Sequence, residues 1–228
     1  MSYQNEVQEL LKNRLELDDT FEFKCDQCGK CCQHREDLLL TPVDMIRIAK
    51  RLDMTMSAVF EKYCETYIGS DSRLPIVRMV PKGRKKVCPL LKKGRCRVHD
   101  AKPSKCALYP LGRVNTPDEV FYVNTNPPCG KRGHKQAVRE WLKQFNIPAD
   151  DKTDRLLHET HIYLHHQIKK WEEILPPHHM AKIFIAVFNA LYIGYDTSKE
   201  FHPQLEDRAK ALKDLFDKLE KSGLDQSK

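Results

Sequence analysis

The 228-residue chain carries 39 lysines and arginines against 32 aspartates and glutamates, a formal net charge of +7. That length suits one compact domain, or a small metal-ordered module joined to a helical region. The longest apolar stretch, 183–195, is broken by Asn189 and is too short to span a bilayer of roughly 30 Å, which argues against a membrane protein.

Residues 1–20 mix charges throughout and lack the apolar run of an export signal, so the expected compartment is the cytoplasm. Residues 3–17 are predicted to form an amphipathic helix with Val7, Leu10, Leu11, Leu15 and Leu17 on one side. At Thr41-Pro42-Val43-Asp44 a helix should begin, because Thr41 can cap, Pro42 fits the first turn and Asp44 suits the positive end of the dipole. It is expected to run from Pro42 to Leu52. A second helix is predicted over 56–68, with Phe60, Tyr63, Cys64, Tyr67 and Ile68 at core spacing. Residues 74–80 and 120–124 have the branched and aromatic content of short strands. Beyond His134 the periodicity predicts helices over 137–145, 153–175, 180–195 and 204–222, separated by Pro148, Pro176-Pro177 and Pro203. The fold class expected is mainly α with small irregular β: an N-terminal helix in 1–20, a metal-ordered cysteine-rich domain over 21–147 and a helical extension over 148–228.

All nine cysteines fall between Cys25 and Cys129. In a reducing compartment, grouped cysteines more often hold metal than pair as disulfides. In Cys25-x2-Cys28-Gly29 a tight turn can bring two sulfurs to one ion, and Lys30 offers charge compensation. Cys31 and Cys32 are adjacent, and neighbouring side chains diverge in most backbone conformations. The run therefore suggests two nearby centres, a polynuclear cluster, or a ligand beside a structural cysteine. Cys88 and Cys96 flank a turn at Gly94, while Cys106 and Cys129 each lie beside turn residues, as expected of loops ordered by ligation. Cys64, on the apolar stripe of its predicted helix, is read as a packed side chain and left out of the set. The candidate metal ligands are thus Cys25, Cys28, Cys31, Cys32, Cys88, Cys96, Cys106 and Cys129. If all eight bind as thiolates around two dipositive ions, the net charge falls to about +3.

Phe23-x-Cys25-x2-Cys28-Gly29-x-Cys31-Cys32, Leu40-Thr41-Pro42-x-Asp44, Cys88-Pro89-Leu90-Leu91, Cys96, Pro103-x2-Cys106-x2-Tyr109-Pro110 and Cys129-Gly130-x2-Gly133 together resemble the YkgJ-type cysteine-cluster family. The likeness covers about residues 21–147. It implies a zinc- or iron-chelating domain with eight cysteines, similar to the cysteine-rich part of the flagellin lysine methylase FliB. Two positions depart from the family pattern: Lys102 stands where arginine is usual, and His99 where tyrosine is expected. The departure makes His99 a possible extra ligand, against the plainer reading of a surface histidine.

His158, His161 and His165 share a predicted helix face, but no Glu completes an HExxH motif, and His161 falls on the apolar stripe. Residues 42–63 can be read as a helix-turn-helix, yet Glu61 and Glu65 leave its second helix poorly charged for DNA. No GxGxxG, Walker A or GxSxG motif occurs, and no glycine-rich strand-to-helix turn supports methyl transfer. The reading is therefore a metal-binding protein holding an iron-sulfur cluster or zinc through about eight thiolates, with iron slightly preferred. The alternatives are a metal-dependent protein-modifying enzyme resembling a lysine N-methylase, or an interaction module structured by zinc. The expected partner is an unidentified protein or small molecule, with neither nucleic acid nor membrane favoured.

Overall fold

The computed structural model describes residues 11–36, 38–115, 119–125, 127, 129–147 and 152–222. In chain order, β1 (Arg14–Leu15), β2 (Thr20–Lys24) and β3 (Leu39–Leu40) lead into α1 (Pro42–Leu52), α2 (Met56–Tyr63), β4 (Cys64–Ile68) and β5 (Pro75–Met79). Next come β6 (Leu91–Lys92), β7 (Arg95–Cys96), α3 (Ser104–Leu108), β8 (Leu111–Asn115), β9 (Val120–Asn124), β10 (Lys131–Ala137) and α4 (Val138–Gln144). The helices α5 (Lys152–Glu172), α6 (Pro177–Tyr192) and α7 (Phe201–Lys221) follow.

The expectation of a mainly α fold with small irregular β is corrected by this content. Helix accounts for 48% and strand for 20% of the described residues, in several small antiparallel sheets, so the fold is mixed α/β. The strands are short, and several, such as β1 with β9 and β2 with β10, pair across long stretches of chain, which is why local composition understated them. Two elements changed type. The predicted helix over 3–17 lies outside the described residues as far as residue 10, and Arg14–Leu15 within it is strand, paired with Val123 and Tyr122. The helix predicted over 56–68 stops at Tyr63. From Cys64 the chain continues as β4, antiparallel to β5, with Cys64 opposite Met79 and Thr66 opposite Val77. The apolar spacing there suited either structure, and pairing with β5 decided it.

Two compact units are formed, each from two stretches of chain: 1–38 with 81–149, and 39–80 with 150–228. In the first unit, β9 lies between β1 and β8, while β2 pairs with β10. Phe21, Phe23, Trp141 and Phe145 anchor its buried cluster, joined by Leu111, Tyr122 and Leu142. Trp141 meets Phe21, Phe23 and Phe145 edge-on at 5.9, 5.6 and 5.1 Å. The alternating buried and exposed residues of β2 turn Phe21 and Phe23 inward, and Cys25 leaves the strand packed against the same cluster. The core therefore abuts the cysteine loops.

In the second unit, α1 begins with the expected cap, in which the Thr41 hydroxyl accepts from the Asp44 N–H at 3.1 Å and the Asp44 carboxylate accepts from the Thr41 N–H at 3.0 Å. β5 lies between β3 and β4. Leu164, Ile168 and Trp171 of α5, Val187 of α6 and Leu205 and Phe216 of α7 are buried, as the helical periodicity requires. Arg73 closes a two-pronged ion pair on Glu172 at 3.0 and 2.7 Å. Among the described residues, no helix is long and apolar enough to cross a membrane.

Candidate metal centre

Eight of the nine cysteines belong to the first unit, and none of the nine is in a disulfide. Cys28 and Gly29 turn the chain into a short 3-10 turn, Lys30–Cys32, whose Gly29 adopts φ 72°. A side chain on Gly29 would come within 3.0 Å of the Gly94 carbonyl, so the turn lies close against the β6–β7 hairpin. The segment after it runs beside residues 85–88: the Cys88 N–H donates to the Cys32 carbonyl at 2.8 Å, and the His34 and Arg35 N–H groups donate to the Lys85 and Lys86 carbonyls at 2.9 Å each. These bonds hold Cys88, 56 positions along the chain, beside the end of the cysteine run. The hairpin then returns Cys96 opposite Leu91, whose N–H donates to the Cys88 carbonyl at 3.0 Å. Cys106 sits in α3, and its N–H donates to the Pro103 carbonyl at 2.8 Å.

Several of the thiols lie near enough to perturb one another. Cys31 and Cys32 were expected to diverge, yet their thiols lie near enough for each to shift the titration of the other. A 3-10 turn advances about 120° per residue where extended chain alternates by about 180°, so neighbours there stay closer. Cys31 is pulled below the ordinary cysteine value by Cys32 first, against the cost of burial, and then by Lys102 and Arg35. The Cys32 thiol is raised by Cys31 and by burial, with Cys88 and Cys96 nearby adding to the shift. Burial and the proximity of Cys96 raise Cys88, and burial raises Cys96. Cys106 keeps some exposed area, yet its sulfur is enclosed, and burial pushes the thiol up to about 12.

At the outer edge, the Lys30 amide favours the Cys28 thiolate, but burial and Asp26 outweigh it and the thiol rises. Cys129 lies near enough to Cys28 to add to that rise, and it contacts the Tyr109 hydroxyl at 3.4 Å. Cys25 faces the His99 Nε2 at 3.8 Å. His99 is half-buried rather than a surface residue, and burial followed by the Lys102 cation lowers its pKa. Lys102, the other departure noted in the sequence, is buried with its ammonium 4.5 Å above the Phe145 ring. Among the described residues, no three His, Cys, Asp or Glu side chains are grouped closely enough to hold a metal ion as they stand. The donor chemistry nonetheless suits a soft metal: eight thiols in one unit, with the cations of Lys102 and Arg35 in their field. Ligation would draw the thiols together, its binding energy ordering the loops.

Residues between the cysteines also have structural work. Gly130, next to Cys129, holds φ 85°, and a methyl group there would collide with the Phe23 ring. Gly130→Ala is expected to cost about 2–3 kcal/mol, from left-handed strain plus displacement of Phe23. Urea melts with an unchanged midpoint would remove Gly130 from this role.

The remaining candidates lie in the second unit. His158, His161 and His165 are on α5. His165 Nδ1 meets the Ser72 carbonyl at 2.9 Å, and burial lowers the pKa of His161. Cys64 contacts Met45 Sδ at 4.0 Å, and burial alone pushes its thiol up to about 12. A thiol whose folded pKa exceeds its unfolded value of about 8.5 stabilises the fold below that value, and the contribution disappears as pH rises toward the folded pKa. Between about pH 8.5 and 12 the wild type should therefore lose on the order of 2–4 kcal/mol more stability than Cys64→Ala. Equal losses in urea melts would remove the burial of Cys64 as a source of alkaline sensitivity, and metal per chain should match in the two proteins.

Residues 24–130 match the family described as "Putative zinc- or iron-chelating domain", CxxCxxCC. No curated protein and no solved structure matches the chain.

Proposed function

We propose, from the premise that residues 24–130 belong to the CxxCxxCC family, that this protein holds an iron-sulfur centre through the thiolates of Cys25, Cys28, Cys31, Cys32, Cys88, Cys96, Cys106 and Cys129. The observation that carries the reading is the gathering of these eight cysteines, from stretches up to 104 residues apart, in the unit of residues 1–38 and 81–149. Eight thiolates exceed the four that close a mononuclear tetrahedral site. Cys31 and Cys32, each shifting the titration of the other, favour a polynuclear centre over two separate ions. When bound, such a cluster supplies one-electron chemistry tuned by nearby charge and by exclusion of water.

The chain's own residues divide that work. Lys102 and Arg35 offset thiolate charge, as their pull on Cys31 indicates. The cluster of Phe21, Phe23 and Trp141 backs Cys25 and limits solvent on that side. Tyr109 can donate a hydrogen bond to Cys129 sulfur. The test is iron, zinc and acid-labile sulfide per chain, with a visible spectrum, on protein purified without oxygen. Iron with sulfide and absorption near roughly 400 nm is the expected result. Zinc alone would make the thiolates a scaffold for an interaction module, and absence of both metals would overturn the reading.

A further inference from the structure

We infer that His99 is an additional ligand of the metal centre, making it a mixed thiolate and imidazole site in which His99 and Cys25 bind the same ion. The inference rests on the reading that this unit holds metal. Three observations on different levels carry it.

The first is distance. Sulfur at about 2.3 Å and imidazole nitrogen at about 2.0 Å from one tetrahedral ion lie roughly 3.6 Å apart. Cys25 Sγ and His99 Nε2 are 3.8 Å apart, so the pair needs only a small adjustment to share an ion. The second is spacing. Cys96-Arg97-Val98-His99 places two residues between a thiol and an imidazole, the separation that lets a Cys-x-x-Cys knuckle chelate one metal. The third is orientation. His99 opens a 3-10 turn, His99–Ala101, closed by the Ala101 N–H on the Val98 carbonyl at 3.0 Å, and Val98 is fully buried. Its ring meets Phe145 edge-on at 6.0 Å, and Lys102 lies over the same phenyl ring. The imidazole is thus braced by the core while Nε2 is turned to the thiol, and a proton on Nδ1 leaves the Nε2 lone pair available to a metal.

The deciding experiment is X-ray absorption at the edge of the resident metal, iron or zinc, on wild type and His99→Tyr, with metal retention measured against a chelator. Wild type should show imidazole outer-shell scattering and a nitrogen shell at about 2.0–2.1 Å beside sulfur. In His99→Tyr the imidazole signal should vanish and the concentration of chelator that strips half the metal should fall at least roughly tenfold. Metal bound by sulfur with no imidazole signature in wild type overturns the inference and leaves the thiolate reading intact, even if the variant does not fold. An imidazole signature retained in His99→Tyr also overturns it, because another histidine would then be the ligand. Wild type without metal would overturn both readings.

Discussion

Cys25→Ser, Cys28→Ser, Cys88→Ser and Cys106→Ser are each expected to carry roughly half or less of the wild-type metal per chain and to melt about 10 °C lower. A serine hydroxyl does not ionise near neutral pH and is a poor donor to a soft metal, so each exchange removes a ligand while nearly preserving volume. Where metal affinity is folding energy, a lost ligand reappears as lost stability of about 3 kcal/mol or more. The four positions sample different surroundings: Cys25 against the aromatic core, Cys28 exposed on the turn, Cys88 buried beside Cys32, and Cys106 enclosed in α3. A purely packing role would make the outcome follow burial, with Cys28→Ser nearly silent. Unchanged metal content and melting in all four would sink the ligand assignment.

Trp141→Ala is the substitution expected to damage the first unit most without touching a thiol. Trp141 is 2% exposed, packs edge-on against three aromatic rings and donates its indole N–H to the Leu108 carbonyl at 3.0 Å. Deleting a buried Trp side chain costs about 3–5 kcal/mol in transfer and cavity terms. The Leu108 carbonyl then loses its partner at the end of α3, the helix that carries Cys106. Trp141→Phe keeps most of the ring contacts but not the hydrogen bond, and should cost less than half as much. Denaturant melts of the two variants check the order, and equal costs would show that the indole N–H, rather than the packed ring, dominates. Metal retention should fall with stability in Trp141→Ala, because Phe23 precedes Cys25 by two residues and loses the ring it leans on.

Much of the helical structure was legible because its signals are local. Thr41, Pro42 and Asp44 marked the start of α1 through a cap that spans four residues, and apolar periodicity predicted the helix over 153–175, in which Leu164, Ile168 and Trp171 are buried. The cysteine run and its spacing likewise pointed to the family that residues 24–130 match, described as a zinc- or iron-chelating domain. The strands were not legible to the same degree. Lys131–Ala137 carries no apolar alternation, and its strand state comes from pairing with Thr20–Lys24, more than a hundred residues earlier. Cys64–Ile68 continued a helical stripe on paper and became strand only because β5 offered it partners.

The candidate site divides along the same line. By itself the sequence determined which residue types are available and that the cysteines cluster along the chain. Tertiary structure alone decided that residues 39–80, lying inside the cysteine-rich stretch, fold with residues 150–228 and take Cys64 with them. It alone turned His99 toward Cys25, and set Cys88 beside Cys32. The physical reason is range: caps and periodicity act over about one helical turn, whereas strand pairing and thiol proximity depend on chain segments whose separation no local pattern records.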